Sequence, residues 1–208
     1  MIDYRSPWMD DELEMFRDAA KRFIESEIVP NDARWREQHH VDRDIWNKAG
    51  EVGLLCTDIP AEYGGVGGDA RHEAVVAEEM GRHGISSFGH VVHSILAHYV
   101  LNYGSEQQKR NWLPRMASGE LVGAIAMTEP GAGSDLQAVR ARAVREGGQY
   151  VLNGSKTFIS NGLHAGLVGV VVKTDPAKGA KGISIIMVET KGLPGYRVGR
   201  VLAKIVQN

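Results

Sequence analysis

The sequence holds one cysteine, Cys56, in 208 residues, which excludes an internal disulfide framework and any metal site built from several thiolates. No apolar run approaches the roughly 20 residues that a membrane-spanning helix requires. The opening stretch MIDYRSPWMDDELEMF lacks both the basic start and the apolar centre of a secretory signal. These absences make a soluble, cytoplasmic protein the expectation. Aromatic residues are sparse at 7%, while hydrophobic (43%) and charged (24%) residues sit near globular values, which argues against disorder and against a fibrous protein. At roughly 150 residues per domain, the length allows one to two domains.

Acidic residues are scarce only in the second half. Residues 1–120 carry 13 Lys and Arg against 21 Asp and Glu, and residues 121–208 carry 11 against 5. Glycine shifts at the same place, from 11 in the first 120 residues to 14 in the remainder, and all four tryptophans precede it. The coincidence near residue 120 marks a domain boundary, giving expected domains at 1–120 and 121–208.

The first of these has helical periodicity. Asp10 can cap a helix in which Leu13, Phe16, Ala20, Phe23, Ile24 and Ile28 recur at spacings of three and four, with Pro30 expected to stop it. A second helix is expected from Asp42 to Val52, ended by Gly53. After the glycine-rich loop AEYGGVGGDA (61–70), Asp69 would cap a helix through Val75, Val76 and Met80. The segment 86–103 is apolar on most faces and so is expected to be deeply buried. Ser105 with Gln108 forms a capping-box pattern that opens a last helix.

The second domain changes period. Runs of β-prone residues at 121–128, 138–145, 149–153, 156–160, 167–173, 183–189 and 196–202 predict strands. Val139, Ala141 and Ala143 alternate with arginines as a half-exposed strand requires. Glu146-Gly147-Gly148 and Asn153-Gly154 read as hairpin-type breaks. The expected class is α+β: an all-helical N-terminal domain, then an antiparallel sandwich or barrel-like β domain.

Most motifs that resemble chemistry have a plainer explanation. GGVGG (64–68) could cradle an anion but reads better as a helix connection. Gly131 and Gly133 lack the third glycine and the βαβ context of a dinucleotide fingerprint. Gly154-Ser155-Lys156-Thr157 is not a P-loop, because its lysine does not directly follow the glycine. His90, His93 and His98 share a predicted helix without a carboxylate, which favours buried or pocket-lining histidines over a metal site. Cys56 reads as a small buried hydrophobe. The scattered Lys and Arg of the second half lack interleaved aromatics, which disfavours nucleic acid. What is left is AIAMTEPGAGSDLQA (124–138), where a strand runs into Glu129-Pro130 and then into a glycine-freed turn bearing Ser134 and Asp135. With Thr128, and with NGSKTFISNG (153–162), it offers a platform for a polar, phosphate-bearing ligand, or an ordinary turn between strands.

AMTEPGAGSDLQ (126–137) followed by NGSKTFISNG is similar to the flavin-binding core of the acyl-CoA dehydrogenase family, and GAIAMTEPGAGSDLQ with LNGSKTFISNG most resembles its long-chain branch. The resemblance extends over essentially the whole chain, including YGSEQQKRNWLPRMASGE (103–120). It implies an FAD enzyme that removes hydrogens from Cα and Cβ of an acyl-CoA, usually a tetramer that passes electrons to a separate acceptor. It places the backbone of Ile125 and Met127 and the hydroxyl of Thr128 at the flavin ring. Gly133 and Ser134 fall at the pyrophosphate or the CoA moiety, so that Ser134 is also a substrate contact, and Phe158 and Ser160 fall beside the isoalloxazine. Many relatives carry Trp and Thr at those last two positions.

The resemblance also implies that the β domain 121–208 is incomplete, and that its last strands, the catalytic glutamate and the C-terminal helical domain fall beyond Asn208. None of the glutamates present, Glu129 included, is expected to be the base, and the 208-residue chain alone is expected to be inactive. The tail Lys204 to Asn208 departs from the family pattern, which has a glycine near Val206. Two rivals stand beside this reading: a non-catalytic binding module, and one half of a split enzyme completed by a second polypeptide. Within the fold, an oxidase or a flavin monooxygenase is a further alternative.

Overall fold

The computed structural model describes residues 5–203 and resolves them into two compact units, one taking in the chain up to Leu121 and the other Val122–Arg200. The tail at 204–208, with Val206, lies outside the described residues.

The first unit is helical. Asp10 accepts a hydrogen bond from the Leu13 N–H at 3.0 Å and opens α1 (Asp11–Phe23), whose first turn is acidic and whose last turn is basic, as the helix dipole favours. Pro30 does not stop the helical run. A π-helical turn (Ile24–Ile28) passes directly into α2 (Val29–Gln38), with Pro30 in its first turn, where a missing N–H costs nothing. The wider turn keeps both Ile24 and Ile28 fully buried, and the Asn31 side chain donates to the Glu27 carbonyl at 2.8 Å.

Next come α3 (Asp44–Glu51), α4 (Ala70–Arg82), α5 (His90–Tyr103) and α6 (Glu106–Ala117). Asp69 and His72 cap α4 reciprocally, and Ser105 and Gln108 do the same for α6. Arg17 of α1 binds Glu78 at 2.7 Å and the buried Glu79 at 3.4 Å, so α1 and α4 are joined by charge as well as by packing. The core is built around Trp35, Trp46, Leu13, Ile45, Leu96 and Leu113. The glycines at 64–68 serve this packing. A Cβ on Gly65 would lie 2.1 Å from the Ile59 carbonyl oxygen, and one on Gly68 would lie 2.5 Å from the His72 ring.

Helix α5 is shorter and less buried than its composition suggests. It begins at His90, and it turns His90, His93, Leu96, Ala97 and Val100 inward while Val91, Ile95 and Tyr103 are exposed. His93 sits against the Met116 carbonyl (3.1 Å) and the Trp46 ring (5.3 Å), and burial pushes its pKa down to about 4, so it is a neutral core residue. Burial likewise pushes the Cys56 thiol far up, which removes it as a nucleophile. Among the described residues no cluster of side chains could hold a metal ion, and no helix is long and apolar enough to cross a membrane.

The second unit is one open, mixed sheet rather than an antiparallel sandwich or a closed barrel. Its strands are β1 (Gly123–Ala126), β2 (Arg142–Glu146), β3 (Gln149–Asn153), β4 (Leu167–Lys173) and β5 (Ile183–Glu189). β2 and β3 form a hairpin through Gly147 and Gly148, both at positive φ, as a tight twisted turn requires. β5 pairs antiparallel along all of β4. On the other edge of β4, β1 pairs in parallel from Leu167 to Val170, and Arg142 at the start of β2 pairs at Lys173. The parallel pairs depart from expectation because β1 reaches β4 by a long excursion and not by hairpins. Residues 156–160 and 196–202 are not strands. In the first, Phe158 takes a left-handed φ of 56°, which no strand can hold. In the second, residues 191–200 are exposed throughout, so their alternation buries nothing.

In the helical unit α3 lies so close to the end of α6 that a Cβ on Gly50 would come within 2.4 Å of the Ser118 backbone. Alanine is the better helix former by about 1 kcal/mol, yet Gly50→Ala should lower stability by about 1–3 kcal/mol through overpacking. Urea unfolding of the two proteins measures this, and a stabilised variant would contradict the packing.

Candidate functional site

The excursion from β1 to β2 is where the sheet unit departs from regular structure. The chain leaves β4 after Ala126 and returns at Arg142, so residues 127–141 bulge from one sheet edge. Glu129 and Ala132 close a tight turn with backbone bonds in both directions (2.9 and 3.1 Å), which puts Pro130 and Gly131 at its tip. Asp135 then accepts from the Gln137 N–H and starts a short 3₁₀ turn (Leu136–Ala138), before Val139 and Ala141 return to the core.

A second loop, residues 154–162, runs beside the first and is fixed to it at several points. The Thr157 N–H donates to the Thr128 carbonyl at 2.9 Å. Lys156 Nζ donates to the Met127 carbonyl (2.9 Å) and to Glu129 Oε1 (2.8 Å). Gly154 packs where a Cβ would be 2.4 Å from that of Ala141, so no larger residue fits. At the far end Asn161, also left-handed at φ 62°, donates from its side chain to the Gly123 carbonyl at 3.1 Å.

Glu129 is 7% exposed and accepts from the Arg140 N–H (2.7 Å), the Ala141 N–H (2.9 Å) and Lys156. Burial works against its charged form, but Lys156 and the two amides outweigh it and hold the carboxyl below the usual range. A carboxylate so occupied is ionised and bound on every side, and it is no proton acceptor.

Of the residues singled out from sequence, Ile125 is half-buried in β1, and Met127 and Thr128 follow directly on its end. Gly133 and Ser134 are exposed on the first loop, and Phe158 and Ser160 stand on the second. The hydrogen bonds of Lys156 and Thr157 thus bring the Met127–Thr128 segment against the segment that carries Phe158. Phe158 is 70% exposed despite being aromatic and despite a backbone angle that costs a non-glycine residue about 1–2 kcal/mol. Such strain collects at functional sites. An open groove of about 480 Å³, lined among others by Pro130, Gly131, Arg140, Arg142 and Ser155, lies where the two loops meet.

Sequence reasoning missed Glu129 and Lys156 as a pair. The available signal was a lone acid at a strand end in an acid-poor half, which must find a cation if it is buried.

Two glycine-rich segments can now be told apart. Those at 64–68 are consumed by packing. A Cβ on Gly131 or Gly133 would meet nothing within 4 Å, and neither has a positive φ, so the chain's own fold does not demand glycine there. Bare backbone that the fold does not require suits close approach of a ligand.

The two stapled loops form a single edge platform of the sheet unit that exposes Gly131, Gly133 and the Phe158 ring. Comparison with known proteins makes the assignment. Residues 10–120 match the acyl-CoA dehydrogenase N-terminal domain and residues 124–207 its middle domain. The chain belongs to the acyl-CoA dehydrogenase family, a family of oxidoreductases. The mitochondrial long-chain specific acyl-CoA dehydrogenase of Sus scrofa is 44% identical over 197 residues, 93% of this chain and 46% of that protein. The crystal structure of an acyl-CoA dehydrogenase from Geobacillus kaustophilus superposes with a TM-score of 0.90 at 42% identity, covering 94% of this chain and 52% of that one. A glutaryl-CoA dehydrogenase from Mycobacterium smegmatis, solved in complex with FADH2, gives a TM-score of 0.85 at 29% identity over 95% of this chain and 50% of its own. The chain spans about half the length of the curated relatives it matches.

Because folded Glu129 has a depressed pKa, its stabilising effect is intact above the usual value of 4.5 and drains away as pH falls through the folded value. Glu129→Gln should therefore be less stable than the parent at pH 7, and the gap should narrow below pH 4.5. Urea midpoints for the β unit at the two pH values test this, and an equal gap at both would refute it.

Proposed function

We propose that this chain provides the helical domain (1–120) and the flavin-holding β domain (121–208) of an FAD-dependent acyl-CoA dehydrogenase. The reaction is removal of hydrogens from Cα and Cβ of an acyl-CoA thioester. The observation that supports this reading is the stapled pair of loops, with Pro130, Gly131, Gly133 and Ser134 exposed on the first and the Phe158 ring exposed on the second.

The residues suit FAD. Among the described residues the Thr128 N–H has no acceptor, and it sits beside its own hydroxyl at the end of β1. In this reading Ile125, Met127 and Thr128 offer backbone and hydroxyl groups to the polar edge of the ring. Phe158 and Ser160 flank it, and the bare backbone at Gly133 with the Ser134 hydroxyl receives pyrophosphate or the CoA moiety. When bound, FAD supplies the hydride acceptor. The protein's contribution is to orient ring and thioester and to hold donors where charge develops.

Three of the five acids of the β unit are engaged within it. Glu129 is clamped, and Asp135 and Asp175 cap short turns through the Gln137 and Ala177 N–H groups. On the family likeness we assign the α-proton to a glutamate outside the described residues. The substrate is assigned to the long-chain class, the electrons to a separate flavoprotein acceptor, and the location to the cytoplasm.

Titration of the purified 208-residue chain with FAD, followed by flavin fluorescence, tests the reading. One FAD should bind per chain, Phe158→Ala should weaken binding about three- to tenfold, and acyl-CoA with an artificial electron acceptor should give no turnover. A chain that retains no flavin would remove the proposed cofactor role, and full turnover would remove the external base.

A further inference from the structure

Lys156 is placed to do more than neutralise Glu129. Its side chain is only 10% exposed, and its ammonium reaches past the carboxylate to the Met127 carbonyl at 2.9 Å. That carbonyl belongs to the same peptide group as the Thr128 N–H. A cation on the oxygen of a peptide draws electron density toward it and makes the attached N–H a stronger donor, which is the cooperative strengthening expected along a hydrogen-bond chain. The next carbonyl, that of Thr128, takes the Thr157 N–H at 2.9 Å, so the Thr128 residue is fixed from both of its peptide groups while its own N–H is left without an acceptor among the described residues.

The anchor is equally specific. Glu129 is tied to the Arg140 and Ala141 amides, at the point where the first loop re-enters the sheet. Lys156 therefore holds the departing end of that loop and Glu129 its returning end.

We propose that Lys156, anchored by Glu129, is a positioning residue that aims and polarises the Thr128 N–H for the bound ligand. This rests on the flavin reading for the identity of the ligand. It does not rest on it for the effect on the peptide, which exists without any ligand.

Two variants of the full 208-residue chain test the proposal. Lys156→Met keeps most of the stem and removes the charge. Glu129→Gln removes the charge that anchors Lys156 and keeps an acceptor oxygen for one of the two amides, which the carboxylate takes on different oxygens. Without ligand, NMR of both should show the Thr128 amide nitrogen shifted from its position in the parent, and Thr157 amide exchange accelerated about tenfold or more. Exchange at Val170 and Val188 in the β4–β5 ladder should stay as it was. With FAD, affinity should fall about tenfold in Lys156→Met, and the reduction potential of bound flavin should shift, which a purely structural residue would not cause.

Unchanged Thr128 and Thr157 amides in both variants would overturn the proposal. So would altered amides together with parent-like FAD affinity and potential. If Lys156→Met also loses Val170 and Val188 protection, Glu129→Gln alone decides. If the parent chain binds no FAD, the flavin reading fails, and the amide measurements still decide whether Lys156 sets the Thr128 peptide.

Discussion

An ionised carboxylate taken out of water has to be met by donors that stay in place, and in the β unit Glu129 is met by an ammonium and two backbone amides. Those donors come from two different parts of the edge structure. The amides mark the return of the first loop to the sheet, and the ammonium comes from the second loop. Satisfying one buried charge therefore fixes three chain segments at once, and Thr128, Phe158 and the exposed glycines take their places as a consequence. Replacing the pair by apolar residues could leave the sheet intact, because buried ion pairs often contribute little net stability. What such a replacement could not keep is the set of directions the pair imposes on the backbone.

Much of this was legible from residue order. Asp10, Asp69 and Ser105 announced their helices through local capping, and Glu146-Gly147-Gly148 announced its hairpin, because both are decided within a few residues. Pro30 misled because its effect depends on position: interior prolines break helices, whereas first-turn prolines start them, and only the π-helical turn before it made the second case apply. Residues 156–160 misled for another reason. Their composition suits a strand, but a left-handed Phe158 and a lysine drawn toward Glu129 are tertiary decisions that override propensity. The exposed face of α5 was illegible for the same cause, since apolar composition does not say what a helix packs against.

The site itself was read chiefly through likeness to a family. The physical reading of Thr128, Gly133 and Ser134 could not separate a ligand platform from an ordinary turn. Three dimensions add one contrast to that reading: glycines crowded by neighbours at 64, 65 and 68 against glycines facing open space at 131 and 133. The excess of basic residues in the second half gains meaning alongside this. Arg140 and Arg142 line the groove beside the loop, so the sign of the local field suits an anionic ligand there.

The shared edge of β4 has a mechanical consequence. β1 ends opposite Val170 and β2 begins opposite Lys173, so the whole excursion is spliced into a gap of two residues, Val171 and Val172, on a single strand. Both roots of the loop are thereby riveted to one rigid element whose other edge is fully paired with β5. Residues added or removed near the tip would alter the loop's reach without sliding either neighbour out of register. A fold wired in this way can retune the shape of what it grips while leaving its load-bearing sheet untouched.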